Sequence, residues 1–312
     1  MKTQDITVVG SVNSDVTYHV ATLPQQGETI LAHGRFDTPG GKGANQAAAL
    51  AALGQPVRFV GCVGNDDRGE SLVSHLENLG VHCGSVTTTS QAPTGSAVVV
   101  VASDGENSIV VHPGANFALT PQHVTQTLAA SNNGYVLVQF EVPLDAAYAA
   151  LTAGDARVVV NPAPMPEPSA LLDDIIARAD ILVPNRTELA GLANAPLPQT
   201  IEEVTQCVRT LTVDAQIVVT LGSDGALVFP KGPSGDAVAV SAPAVDTVDS
   251  SGAGDAFCAA LVAGVNAGHP LEDAAQFACN FAAWTTTLHG AQVTQLAPED
   301  LTLGRPSVTP SH

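Results

Sequence analysis

Six short, almost wholly apolar runs recur along this chain of 312 residues, at 6–10, 57–61, 135–140, 158–161, 181–183 and 217–221, and stretches rich in Ala and Leu separate most of them. A strand buried on both faces reads as an unbroken apolar run, and strands joined through helices run parallel. The pattern therefore predicts an α/β protein, a parallel sheet with helices on both faces. Residues 44–53, 69–79, 121–129, 144–153, 169–178, 201–211, 253–267 and 271–288 have helix length and composition, several preceded by Pro or closed by Gly.

Two places break the alternation. Residues 16–20 with 29–36, and 96–102 with 108–112, read as hairpin-like strands, the second pair joined through Ser103-Asp104-Gly105-Glu106-Asn107. Without intervening helices these strands cannot extend a parallel sheet, so they predict a small antiparallel flap formed by about 15–38 and 94–113. Such a flap can cover a site or pair with a second copy of the chain. No repeat, low-complexity tract or linker divides the sequence, which reads as one domain, 1–312, with a lid.

Charge narrows the partners. Thirty acidic against eleven basic residues give a net −19, which repels nucleic acid and anionic lipid. The longest apolar stretches, such as 98–102 and 47–53, fall far short of the roughly 20 residues that cross a bilayer. The expectation is a cytoplasmic protein with neither nucleic-acid nor membrane partners, since the N-terminus lacks the pattern of a signal peptide. Cysteines 62, 83, 207, 258 and 279 form no Cys-x-x-Cys and read as reduced core residues. The nine histidines show no His-x-x-x-His spacing, so no dedicated transition-metal site is expected.

The chemistry gathers in Gly-rich turns and at strand ends. Asp249-Ser-Ser-Gly-Ala-Gly-Asp255 opens the predicted helix 253–267; convergent backbone N–H groups and a helix N-terminus together make an anion site. Asp255 falls in the first helical turn, where it reads equally as a carboxylate complementing the helix dipole and as a general base aimed at a hydroxyl. Gly40-Gly-Lys-Gly-Ala-Asn-Gln46 is a second such turn, neither a Walker A nor a Gly-x-Gly-x-x-Gly. Its Lys42 and Asn45 can both bond a polyhydroxyl ligand. Gly10-Ser-Val-Asn-Ser-Asp15, Glu141, Asn185-Arg-Thr-Glu188 and Thr220-Leu-Gly-Ser-Asp-Gly225 each follow a predicted strand, where ligands of open α/β sheets bind, although Gly10–Asp15 taken alone also reads as an Asx turn.

In order and spacing these stretches resemble the ribokinase-like (PfkB-type) carbohydrate kinases, from about residue 6 to 294. The likeness is carried by the motifs above together with Gly27-Glu-Thr29, Gly114-Ala-Asn116, Asn161-Pro-Ala-Pro164 and Gly290-Ala-Gln292. The resemblance implies a Rossmann-like three-layer α/β/α core with a small antiparallel β-lid. It also implies transfer of the ATP γ-phosphoryl group to the primary hydroxyl of a sugar, D-ribose first, with 2-deoxyribose, fructose or a nucleoside as the nearest alternatives. A sugar- or nucleotide-binding regulator without turnover is the alternative of another class.

By matching position, Asn13, Asp15, Gly41, Lys42, Asn45 and Glu141 would hold the sugar hydroxyls, with Asp255 as the base on the acceptor. Gly252, Ala253 and Gly254 would form the anion hole. Asn185, Thr220, Gly222, Ser223, Gly225, Gly254 and Asn280 would line the nucleotide. Glu188 would act through water on Mg²⁺, and Asp249, Ser251, Thr285, Leu288, Gly290 and Thr294 would surround a monovalent cation, K⁺. Separately, the exposed edges of the lid strands lead to the expectation of a homodimer through the lid. Arg186 departs from the family, which usually carries Glu there, and the Cys279-Asn280 segment departs too. Asp249 rather than Asp246 takes the motif position, because only it has the right distance to Asp255.

Overall fold

The computed structural model describes residues 5–302, except 105 and 132. β1 (Asp5–Val9) runs into β2 (Asn13–Val20) and β3 (Gly34–Gly40), and α1 (Lys42–Ala52) returns the chain to β4 (Val57–Gly64). α2 (Asp67–Asn78) and β5 (His82–Thr89) follow, then β6 (Ser96–Ala102), β7 (Asn107–His112), α3 (Pro121–Ala129) and β8 (Asn133–Val138). The second half runs α4 (Leu144–Thr152), β9 (Arg157–Val160), α5 (Ala170–Arg178), β10 (Ile181–Leu182), α6 (Arg186–Leu192), α7 (Ile201–Thr210) and β11 (Gln216–Thr220). β12 (Ala226–Phe229), β13 (Val238–Val240), α8 (Ala253–Asn266) and α9 (Leu271–Thr285) complete it.

The main sheet has the order β13-β12-β11-β10-β9-β8-β1-β4-β5. From β11 to β5 every pairing is parallel, and β12 and β13 add an antiparallel edge. Ile6, Val8, Phe59 and Leu137 pack on one face beneath α1, α2, α8 and α9 through Leu50, Leu76, Leu261 and Phe281. Val9, Val60, Val136 and Val138 pack on the other beneath α3, α4, α5 and α7 through Val124, Ala147, Ile175 and Val208. These are the three layers the apolar runs imply: a side chain at the sheet centre has a helix above or below it and is lost to water either way. Among the described residues no helix is long and apolar enough to cross a membrane.

A second sheet stands beside the first, in the order β3-β2-β6-β7. Its outer pairings, β2 with β3 and β6 with β7, are the two antiparallel hairpins, but they join through a parallel pairing of β2 with β6, Thr17 opposite Val99. β3 begins at Gly34, not at residue 29, because the ladder starts only where the His33 N–H donates to His19 O, while Leu31 before it is 91% exposed. Phe36, Val98, Ile109 and Val110 are exposed on this sheet.

Other boundaries also moved. The last helix ends at Thr285 rather than 288: the hydroxyls of Thr285, Thr286 and Thr287 bond the carbonyls of Ala282, Ala283 and Trp284, which competes with the helical ladder and turns the chain out. The seven-residue α6, the edge strand β5 and the β12–β13 edge were not anticipated.

Candidate active site

The carboxyl ends of β1, β8, β10 and β11 open on one edge of the main sheet, and the turns after them meet the N-termini of α1 and α8. α1 sits close against β1: a Cβ at Gly43 would lie 2.7 Å from the Gly10 backbone. Gly41 caps the helix at φ 89°, with Val12 and Asn13 backbone 2.8 and 2.9 Å from where a Cβ would be, so only glycine fits the turn.

Lys42, Asn45 and Gln46 are spaced to share one face of α1, and that face meets Asp255 in the first turn of α8. Asn45 Nδ2 donates to Asp255 Oδ2 at 3.0 Å and Gln46 Nε2 to Oδ1 at 3.1 Å, with Lys42 Nζ 4.0 Å from Oδ1. Asp255 is only 5% exposed. Asp255 foremost holds the Lys42 ammonium pKa above its ordinary value, against burial, with Glu141 and Glu188 adding to it.

The amide of Gln46 cannot turn over. The Val183 carbonyl can only accept, so Asn161 gives it Nδ2 (2.9 Å) and turns Oδ1 to Gln46 Nε2 (3.3 Å); Gln46 Oε1 in turn accepts from Gln139 Nε2 at 2.5 Å. Gln46 Nε2 is thereby fixed as a donor to the Asp255 carboxylate, whose two oxygens both accept, one from Gln46 and one from Asn45.

Glu141 Oε2 accepts from the Lys42 N–H (3.1 Å) and Ser11 Oγ (2.5 Å), which ties β8, β1 and α1 together. Asp15, on β2, accepts from the Ala97 N–H at 3.0 Å. Burial pushes its carboxyl up from 3.8 to about 6, the Ala97 bond opposing and the Glu141 charge adding. Asn13 Oδ1 accepts from Asn116 Nδ2 at 2.7 Å, and Asn116 Oδ1 accepts from the Val12 N–H at 2.9 Å.

Opposite lies a surface made mostly of backbone. Gly252 caps α8 at φ 73°, where a Cβ would come 2.2 Å from Ala291 O. The Ala253 N–H closes a turn onto Ser250 O at 3.3 Å, whereas the N–H groups of Gly254 and Asp255 belong to a first turn that offers them no intrahelical acceptor. A Cβ at Gly254 would meet nothing within 4 Å, so that side is open for an anion.

Asn185 bridges to Thr220, and the Thr220 N–H bonds Pro184 O at 3.0 Å. Gly222 and Gly225 have φ 66° and 98°, and the turn between them leaves Gly222 and Ser223 exposed. Asn280 Oδ1, on α9, accepts from Gln276 at 3.2 Å. Arg186 pairs with Asp224 at 3.1 Å and so crosses from α6 to the Gly222–Asp224 turn.

Glu188 forms a capping box with Asn185, both carboxylate oxygens bonded by it at 2.9 Å. Burial raises its pKa, the Asn185 N–H and Lys42 working against this and Asp255 with it. Asp249 accepts from the Ser251 N–H and the Gly290 N–H, each at 2.9 Å, while the Val248 and Asp249 N–H groups bond Thr286 O. Burial works to raise the Asp249 carboxyl, but the bonds from Ser251 and Gly290 and the charge of His289 hold it below the ordinary carboxylate value. Thr285 is buried, the Leu288 N–H donates to its carbonyl, and Thr294 is exposed; Asp246 is exposed as well. The sequence reading assigned no role to Gln46, Asn161, Asn116, Ser11 and Gln139. All but Gln139 lie inside the quoted motifs, and Gln139 is marked only by its place beside Glu141 after an apolar strand.

Residues 3–298 match the pfkB family carbohydrate kinase model. The ribokinase of Arabidopsis thaliana is 38% identical over 296 residues, covering 92% of this chain and 77% of that protein. The ribokinase of Schizosaccharomyces pombe is 37% identical over 303 residues, 92% of this chain and 93% of that one. The structure of Arabidopsis thaliana ribokinase complexed with ribose and ATP aligns with a TM-score of 0.79 at 35% identity, covering 92% of this chain and 94% of that chain. With an aspartate pinned at a Gly-rich helix start and a family model matching nearly its whole length, this chain belongs to the pfkB family of carbohydrate kinases.

Proposed function

We propose that the protein is a ribokinase, transferring the γ-phosphoryl group of MgATP to the primary hydroxyl of D-ribose. The observation that carries the reading is Asp255: a buried carboxylate whose two oxygens are fixed by Asn45 and Gln46 beside the open first turn of α8. A hydroxyl presented to it loses its proton as the oxygen attacks phosphorus, and charge on the transferring group meets the N–H groups of that turn. Lys42, within reach of Asp255, offsets the negative charge gathered there. The relatives named ribokinase and the ribose-and-ATP complex support ribose as acceptor.

Asn13, Asp15, Gly41, Lys42, Asn45 and Glu141 hold the sugar in this reading. Asp15 accepts from vicinal hydroxyls, so an acceptor lacking the 2-hydroxyl leaves it unpaired. Asn185, Thr220, Gly222, Ser223, Gly225, Gly254 and Asn280 take the nucleotide side.

Glu188, a buried carboxylate within the electrostatic reach of Lys42 and Asp255, would act through water on Mg²⁺ that arrives with the nucleotide. Held there, Mg²⁺ would supply positive charge that offsets the charge of the phosphates. An Asp249 carboxyl held below its ordinary value, joining the 249–251 turn to the loop at Gly290, suits K⁺ among the oxygens of Ser251, Thr285, Leu288, Gly290 and Thr294. The exposed apolar residues of the small sheet support a lid that also joins two copies of the chain, and five free, buried cysteines support a cytoplasmic setting.

The test is ADP release from MgATP with ribose, 2-deoxyribose, fructose and nucleosides, each with and without K⁺. Turnover is expected with ribose, raised by K⁺, and kcat/KM for 2-deoxyribose lower by roughly 5- to 150-fold, the cost of one unpaired buried acceptor. Equal kcat/KM for the two pentoses removes Asp15 from the 2-hydroxyl, and silence across the panel overturns ribose and points to binding without turnover or to an acceptor outside the panel.

A further inference from the structure

The polarity of one sugar-site side chain is set from outside the site. The Val12 N–H is a backbone donor and nothing else, so the Asn116 oxygen must face it, as it does at 2.9 Å. That leaves Asn116 Nδ2, again only a donor, directed at Asn13 Oδ1 at 2.7 Å. The Asn13 oxygen is therefore turned to Asn116, and Nδ2 is the end of the amide directed away from that bond. Both residues are buried, 1% and 3% exposed, so no solvent can reverse the order.

The surroundings hold the pair in place. A Cβ at Gly95 would lie 2.2 Å from Asn116 Nδ2 and 2.3 Å from Asn13 Oδ1, so the bond exists in the space that glycine leaves. Asn13 opens β2, Gly95 immediately precedes β6, and Asn116 lies in the Gly114–Ala118 turn a few residues after β7. The Ser14 N–H on Gly95 O and the Ala115 N–H on Pro93 O, both 2.8 Å, bind the same three crossings between the two sheets.

We infer that Asn116 is a positioning residue that fixes the Asn13 amide with Nδ2 as its free end and thereby sets part of the acceptor specificity; this rests on the reading that Asn13 touches the sugar. With Asp15 able only to accept while ionised, the first and third side chains of β2 present opposite polarities: Asn13 reads a hydroxyl through the hydroxyl's lone pairs, Asp15 through its proton. An acceptor sugar whose group at Asn13 cannot accept a hydrogen bond, such as an ammonium in place of that hydroxyl, is excluded.

Asn116→Asp tests this by placing an acceptor where Nδ2 stands, so that Asn13 must reverse its amide to meet it. Steady-state kinetics should show KM for ribose raised about 10- to 100-fold, kcat changed less than about threefold and KM for MgATP unchanged. Asn116→Ala, which removes the donor without adding charge, should move ribose KM the same way by a smaller factor and serves if the Asp variant does not fold. In the Asn13→Ala background either Asn116 change should lose its effect on ribose KM, since no amide remains to orient. Additive losses in that cycle, or equal losses for ribose and MgATP, mean a purely structural role and overturn the inference. A raised ribose KM in Asn13→Ala with none in either Asn116 variant overturns the inference alone. An unchanged ribose KM in Asn13→Ala overturns the sugar-site assignment and the inference with it.

Discussion

On the proposed assignment, the acceptor side and the nucleotide side of the site are built from different materials. Around Asp255 the groups are side chains, buried and bonded to one another: Asn13, Asn45, Gln46, Asn116, Gln139 and Asn161. Around the open turn of α8 the groups are backbone, and Asn185, Gly222, Ser223, Ser251 and Gly254 are exposed. Small hydroxyl patterns can be told apart only by dry, pre-aimed donors and acceptors, whereas a polyphosphate is recognised by charge and shape. With only eleven basic residues in a chain of net charge −19, the proposed reading meets that charge with backbone N–H groups rather than with a cluster of arginines.

Four changes test how far the two sides are separable. Asp255→Asn should lower kcat by about 10²- to 10⁴-fold while ribose binding, followed by calorimetry, persists; loss of both together would show that the acceptor side does not stand apart from the chemistry. Gly252→Ala puts a Cβ 2.2 Å from Ala291 O at a positive φ and should displace the turn, with kcat down about 10²-fold and ribose affinity retained. A kcat within about threefold of wild type would mean that the backbone of that turn holds no developing charge.

Asp15 carries a smaller, pH-dependent effect. Its folded-state pKa of about 6 lies above the ordinary 3.8, so the fold favours the protonated form. The cost of burying the charge is present above about pH 6 and is relieved as pH falls through that value. Asp15→Asn should therefore stabilise the fold by at most about 3 kcal/mol at pH 7.5 and by about half that at pH 5, read as a gain in melting temperature that shrinks as pH falls, while ribose KM rises. In the wild type, ribose KM should worsen below about pH 6; a melting gain that is the same at both pH values would contradict the assignment. Arg186→Ala should matter least. Its pair with Asp224 involves side chains 24% and 70% exposed, so stability should fall by less than about 1 kcal/mol and MgATP KM should move by less than about twofold. A tenfold rise would make the nucleotide side depend on a side chain after all.

Much of this was legible in the chain. Runs such as residues 217–221 announced two-sided burial, and helix 121–129 was bounded by its own signals, Thr120 as cap and Pro121 at the first turn. β5 was missed because its sequence, HCGSVTTT, is a polar strand at a sheet edge, and α6 because seven residues are too few to show a period. Within the site, residue types and motifs marked Asp255, Asn45 and Lys42. The partnerships were not visible: Gln46 meets Asp255 across 209 positions and Asn116 meets Asn13 across 103, and only the packing of α1 on α8 and the meeting of the two sheets bring them together.

The parallel pairing of β2 with β6 also sets an order of assembly. Asp15 receives its hydrogen bond from Ala97 across 82 positions, and α1, β4, α2 and β5 lie between. Closing so long a loop before those elements fold forfeits chain entropy with little contact in return. The pairing of β2 with β6 cannot close until the chain has been made past residue 97, by which point β1, β4 and β5 of the main sheet are already in it.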